Sequence, residues 1–482
     1  MVSTEKGLPD GFVPGGKAAD GTIDLSTTRN VKWGIRVGGT IYSTPAVAGG
    51  RIFIGGLAAH DGIFSCLDEA TGKLLWQWRA AALKFPSKIN GFPIGISENP
   101  ARIGVCSSPA VDGDRVYFVS HRFELLCLDV RGQPPAPDAG KARVIWSLDM
   151  GADLGVFPCD VANGSPLIDG DVLYVPTSNG VDRNSFHDPT EEKNRKIPAP
   201  NAPNLIAVDK RTGRLLATDD TRIAENMLHG QWSAPSLGTV GGRKLIFYGG
   251  GDGRCYAFEA LPSASNPPAR LRTVWSYDCI PGEYKTTDGV DPVTQYCLGD
   301  IRMRGTLNKD DGRFVGCSEI IGTPVFLNNR VYVAIGRDPA HGRGRGALHC
   351  IDATGHGDIT KTGKIWTYQG LDRTLSTVSV ADGLLYISDR GGRLHCLDAE
   401  SGQCHWVHDT KSEAWGSTLV ADGKVYMPTT KGLWVFAAQN KLKLIGHVNL
   451  GAKMLTSPVA ANGTLYVTTT GGWLWAVAGI RN

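Results

Sequence analysis

The stretch "NLIAVDKRTGRLLATDD", residues 204–220, decides the fold because the chain repeats its grammar, in "FSCLDEATGKLLWQWR" at 64–79 and in "LHCLDAESGQCHWVHD" at 394–409. Each copy runs hydrophobic, small, hydrophobic, Asp, two variable residues, Ser or Thr, Gly and a polar residue. A β-prone run follows, usually carrying Trp. Asp and Gly enclosing a short polar stretch between two β-prone runs is hairpin chemistry, with Gly free to take positive φ. The phrase therefore encodes two strands and their turn.

A second phrase precedes it: small residues and Ser or Thr, often Pro, an apolar pair, a Gly-containing turn, then an alternating strand. It begins "IYSTPAVAGGRIFIGG" at 41 and recurs at 105, 163, 231, 320, 375, 415 and 455. About eight copies at a shortest spacing of about 40 residues match the period of a four-stranded propeller blade. The last copy ends in "GGWLWAVAGIRN" with no room for a fourth strand, and the first is preceded by an orphan strand, "NVKWGIRVG" at 30–38. The expected fold is all-β: an eight-bladed β-propeller of four-stranded antiparallel blades, its ring closed by the N-terminal strand. Residues 1–29 are expected to be an irregular arm, and 30–482 the propeller with insertions at 80–104, 180–203, 280–319 and 336–346.

Composition narrows the function classes. A formal charge of +3 over 482 residues supplies no basic face for phosphate neutralisation, which argues against nucleic acid as a partner. No apolar run reaches the length of a membrane span. Met1 leads straight into the polar arm "GLPDGFVPGGKAADGT", so the expectation is a cytosolic chain or one that begins after a removed leader. Cys66, Cys127, Cys255, Cys350 and Cys396 sit at or beside the small position before the turn and are expected to be buried hydrophobes. Cys279, Cys297 and Cys317 flank an insertion and are better disulfide candidates. Eleven cysteines without CxxC exclude a complete disulfide framework and covalent c-type haem.

Asp-x-x-Thr-Gly-Lys/Arg with a following Trp, at this period, resembles the tryptophan-docking repeat of quinoprotein alcohol dehydrogenases and of BamB-type outer-membrane assembly propellers. The resemblance covers nearly everything after residue 30. It implies that Trp76, Trp146, Trp275, Trp366 and Trp406 pack against the next blade, and it implies export to the periplasm or outside the cell. "LYVPTSNGVD" at 173–182 resembles the quinoprotein motif whose Asn helps hold calcium against PQQ, and the matching residue is Asn179. "LHGQWSAP" at 228–235 stands where that family carries His-Asp-x-Trp-Asp; His229 and Trp232 match, while Gly230 and Ser233 replace the acids. Neither can act as the base that alcohol oxidation requires. Calcium would likewise lose anionic oxygens.

Two functions follow. The first is a secreted or periplasmic binding or scaffold module for a small polar ligand, a glycan or a protein. It would use loops around Asn179, His229, Trp232, Trp415 of "EAWGST", and the arginine loop "GRDPAHGRGRG" with Arg337 and Arg343. The alternative is a PQQ- and calcium-dependent alcohol or sugar dehydrogenase with a relocated acid, Asp160 or Asp182, beside His229. His229 is either channel-facing or a structural histidine.

Overall fold

The computed structural model describes residues 1–18, 22–81, 103–133, 140–158, 162–180, 198–227, 230–262, 269–282, 319–337 and 345–479, with the backbone of 88–89 and 92–93. Its strands form eight radial antiparallel sheets. Blades 1 to 8 span 46–81, 110–149, 167–218, 236–278, 325–368, 379–409, 419–448 and 459–477. Val31–Arg36 pairs antiparallel with Trp473–Val477 as the outer strand of blade 8, so the orphan strand closes the ring. Within each blade the first strand lies innermost, against the first strands of its neighbours.

The hairpin phrase has a physical role at each turn. The Asp209 carboxylate accepts from the Arg211 and Thr212 N–H groups and the Thr212 hydroxyl. Asp68 and Asp398 do the same for Thr71 and for Ser401. The Thr71 hydroxyl and N–H hold the Asp68 carboxyl below its ordinary value. Gly213 and Gly402 follow at φ of 76° and 73°. A Cβ at Gly213 would come within 2.6 Å of the Trp146 ring, and one at Gly402 within 2.6 Å of Trp366. The glycine of one blade is thus the seat for the tryptophan of the blade before it.

The indole N–H completes the joint by donating to a main-chain carbonyl in the next blade's turn. Trp76 donates to Val130 at 2.9 Å, Trp146 to Lys210 at 3.2 Å and Trp275 to Ala353 at 3.0 Å. Trp366 donates to Ala399 at 3.3 Å and Trp406 to Gln439 at 3.0 Å. Trp33, on the closing strand, donates to Glu69 at 3.1 Å and joins blade 8 to blade 1. Opposite the tryptophans lie small third-strand residues, among them Cys66, Cys127, Cys350 and Cys396, all buried. In blade 4 that position is Ala257, and Cys255 is buried two residues away, opposite Tyr277.

The Ser/Thr phrase builds a second set of joints, a belt around the channel. Thr44 N–H donates to the Ser108 hydroxyl, and Ser108 N–H to that of Ser165. Further round, Thr323 donates to Thr377, Thr377 to Ser417, Ser417 to Ser457 and Ser457 back to Thr44. One residue earlier, the Ser43, Ser107, Ser233 and Ser376 hydroxyls donate to carbonyls of the following blade. A repeated short polar phrase therefore ties blades together where the inner strands begin, at every joint but the one between blades 3 and 4.

The N-terminal arm is docked rather than loose. Met1–Ser3 bonds to Val420 of the blade 7 inner strand, and Glu5 accepts from the Asn462 and Gly463 N–H groups of blade 8. Leu8 and Phe12 are then buried with Leu419, Tyr426, Val448, Trp473 and Trp475 between blades 7 and 8. Blade 7 carries Gly446 at the docking-tryptophan position, and the arm's apolar residues fill that joint.

Candidate functional site

Blade 3 is the other blade without a docking tryptophan: Ala217 stands opposite Ala207 where Trp76 faces Cys66 in blade 1. The belt is interrupted at the same joint, because residue 234 is alanine and has no hydroxyl to receive the Ser165 N–H. Other material fills the space. A short 3-10 helix, Ile223–Asn226, buries Ile223 and Ala224, and these pack with Met227, Leu271, Tyr256 and Phe258. Ala269–Arg270, from the last connection within blade 4, runs parallel to the outer strand of blade 3 and sets Arg270 beside Thr218.

A buried polar network crosses this joint. The Gln231 side-chain N–H₂ donates to the Asn179 carbonyl at 2.9 Å and to Asn204 Oδ1 at 2.7 Å, while its oxygen accepts from the Tyr248 hydroxyl at 3.1 Å. Asn204 in turn binds Asp219 through its own N–H at 2.6 Å and its side-chain N–H₂ at 3.2 Å. Asp219 also accepts from Leu205 N–H and from the N–H and hydroxyl of Thr221. Burying an amide or carboxylate is tolerable only with such partners. On the far side of Tyr248 lies Asp252, which accepts from the Tyr256 hydroxyl at 2.5 Å and from Arg254 N–H at 3.1 Å. Burial pushes the Asp252 carboxyl up to about 6. Burial, with Asp219 and Asp252 nearby, also raises the Tyr248 hydroxyl well above its ordinary value.

Above this network opens a cleft of about 440 Å³, lined by Pro200, Asn201, Ala202, Asn204, Asp219, Asp220, Arg222 and Arg270. Asn204 and Asp219 are its buried polar members, and the others come from the connection between the second and third strands of blade 3, from the chain leaving its outer strand and from the added strand. The described strands flanking the large insertions end on this same face of the ring.

The structure brings some of the sequence candidates together. Asn179 is fully buried: its Oδ1 accepts from Phe157 N–H at 3.0 Å and its Nδ2 donates to the Ala199 carbonyl at 3.0 Å. The side chain expected to touch calcium thus ties three chain segments together. Trp232 is 8% exposed, and a Cβ at Gly230 would come within 2.6 Å of its ring, so an acid at 230 has no room in this geometry. Ser233, at the other acid position, is part of the inter-blade joint to Gly322. Trp415 lies half-buried under the Arg390 guanidinium at 4.9 Å, on the connection from blade 6 to blade 7, and does not share the Asn179 network. Arg337 was expected in a ligand-gripping loop; it is fully buried instead. His229, Asp160, Asp182 and Arg343 lie outside the described residues.

Among the described residues no group of three or more His, Cys, Asp or Glu side chains could hold a metal ion. Around Asn179 the described residues do not fit a calcium–quinone site. Asp219 and Asp252 were not singled out from the sequence, where each reads as an ordinary turn acid. The only signal was Asp219-Asp220 closing the opening phrase without its tryptophan.

Comparisons with known proteins agree with this architecture. Residues 20–134 and 349–446 match the family model of outer membrane protein assembly factor BamB. No curated protein matches the sequence. BamB from Moraxella catarrhalis superposes with a TM-score of 0.58 at 14% identity, covering 92% of this chain and 98% of that one. A europium-containing methanol dehydrogenase gives 0.54 at 12% identity, with 91% and 84% covered. The quinohemoprotein alcohol dehydrogenase ADHIIG of Pseudomonas putida HK5 gives 0.54 at 12%, with 94% and 76% covered. Among the described residues no helix is long and apolar enough to cross a membrane. With the docking tryptophans, their glycine seats and the closing strand, these matches show an eight-bladed β-propeller and support a PQQ-like family of the BamB type.

Proposed function

We propose that this propeller is a binding module whose ligand enters the cleft at the joint between blades 3 and 4. The supporting observation is a coincidence. The joint that lacks both the docking tryptophan and the belt hydroxyl also carries the polar network and the cleft of about 440 Å³. That volume lies in the range of small-molecule sites. The satisfied Asn179–Gln231–Asn204–Asp219 chain fixes the floor in advance, which limits the ordering cost of binding. A small polar ligand, a glycan, or a polar segment of a partner protein suits such walls. By the habit of the BamB and quinoprotein families we place the chain in the periplasm or outside the cell, which fractionation of the expressing host tests.

The functional test is a thermal-shift screen of the purified protein with amino acids, short peptides, saccharides, and PQQ with calcium. A ligand at a hundred times its Kd stabilises by about 2.7 kcal/mol. For a chain of 482 residues, with an unfolding entropy of about 1 kcal/mol per kelvin, that is a rise of about 3 °C. Shifts with a small polar ligand that vanish on blocking the cleft support the module. Dye reduction with PQQ, calcium and an alcohol would overturn it in favour of a dehydrogenase.

A further inference from the structure

Resting on that reading, we propose that the cleft takes a zwitterion, an α-amino acid or a dipeptide, with its carboxylate on Arg270 and its ammonium on Asp220. The charges lining the cleft are not equivalent. Asp219 is saturated by donors from Asn204, Leu205 and Thr221, so its oxygens have little left to offer a ligand. Arg222 is engaged by Glu225. Arg270 has one described hydrogen bond, a long one of 3.5 Å to the Asp219 carbonyl, and no ion pair among the described residues. Asp220, on the chain leaving the outer strand of blade 3, has neither hydrogen bond nor ion pair among them.

One cation and one anion therefore line a single cleft without meeting each other. The added strand fixes Arg270 beside Thr218 with its guanidinium toward the Asp219 carbonyl, and Asp220 follows on the chain leaving that same outer strand without pairing with it. A ligand bearing both charges satisfies both side chains at once. The guanidinium fork matches a carboxylate, and a carboxylate accepts readily from an ammonium. The volume of about 440 Å³ leaves room for a side chain or a second residue against Pro200 and Ala202. A purely anionic ligand would face Asp220, and a purely cationic one Arg270.

The experiment is calorimetric titration of the full chain with alanyl-alanine, leucyl-glycine and free leucine, their N-acetyl and C-amide forms, and a set of mono- and disaccharides. The expected result is binding of the free zwitterions with at least tenfold weaker binding of both blocked forms. Arg270→Gln should weaken the free dipeptide at least tenfold and leave the C-amide unaffected. Asp220→Asn should do the same with respect to the N-acetyl form. Both side chains are exposed, so neither change threatens the fold. Binding of zwitterions that neither variant alters would overturn the assignment. Saccharide binding without zwitterion binding would overturn this inference and leave the module reading standing, whereas silence across the whole panel would end both.

Discussion

Replacing Gly402 by alanine and Trp366 by alanine, singly and together, tests the inter-blade joint in depth. Trp366 is 9% exposed and packs with Tyr332, Leu397 and Ala399. Its removal should cost about 3–5 kcal/mol. Alanine at residue 402 must adopt φ near 73° and places its Cβ about 2.6 Å from the indole. The left-handed backbone costs about 1–2 kcal/mol, and the overlap about 1–3 kcal/mol more. With the tryptophan gone the overlap disappears and only the backbone cost remains. The double variant should therefore be more stable than the sum of the singles by about 1–3 kcal/mol. At about 1 kcal/mol per kelvin this is about 1–3 °C in Tm, read by calorimetry at one fixed scan rate because a ring of this size unfolds with scan-rate dependence. Additivity within about 0.5 kcal/mol would refute a direct seat of one blade's tryptophan on the next blade's glycine.

Other perturbations probe the remaining joints. Ala234→Ser should give the Ser165 N–H a hydroxyl and raise stability by about 0.5–1.5 kcal/mol, whereas Ser417→Ala strips the acceptor from Thr377 and should cost about 1–3 kcal/mol; scanning fluorimetry of both checks the opposite signs. Leu8→Ala should cost about 2–5 kcal/mol by emptying the joint between blades 7 and 8, measurable as a lower Tm together with faster exchange at Val420. Asp252 gives a pH signature. Its carboxyl rises from 3.8 unfolded to about 6 folded, so the folded state holds the proton more tightly. Its own contribution to stability is greatest below pH about 3.8, falls as pH rises, and is lower by up to about 3 kcal/mol above pH about 6, against the opposite trend of carboxylates such as Asp68 and Asp358. The stability difference between the parent chain and Asp252→Asn should therefore change between pH 4 and 6 in denaturation curves, in the variant's favour as pH rises; a constant difference would mean another group carries the effect.

The parts of this fold that were legible in the sequence are those set by local chemistry. Asp and Gly at fixed spacing specify the hairpin, the tryptophan three or four residues after the Gly, at Trp76, Trp366 and Trp406, specifies the joint, and an unpaired strand before the first copy specifies the closure. Trp33 escaped notice because its strand was read only for its pairing. The arm's burial depends on Gly446, whose missing side chain matters only once Phe12, more than four hundred residues away in sequence, is known to lie there. The site was legible to a smaller degree. Asn179 and the 230–232 segment do adjoin, through Gln231. The partners that give Asn179 its role, Phe157 and Ala199, are about twenty residues away on either side and follow no spacing rule. Arg337 looked like a surface arginine because its Gly-rich context resembles a solvated hairpin, and nothing local announces its burial. Asp219 and Arg270 meet only because a connection within blade 4 adds a strand to blade 3.

The most direct measurement of the central claim is a hydrogen-exchange footprint of the full chain with and without the tightest ligand from the screen. If the irregular joint between blades 3 and 4 is the binding site, added protection falls on peptides spanning 200–205, 219–223 and 269–271 and leaves the other seven joints unchanged. Protection gathered instead at the channel belt around Thr44, Thr377 and Ser417, or spread evenly around the ring, would contradict it.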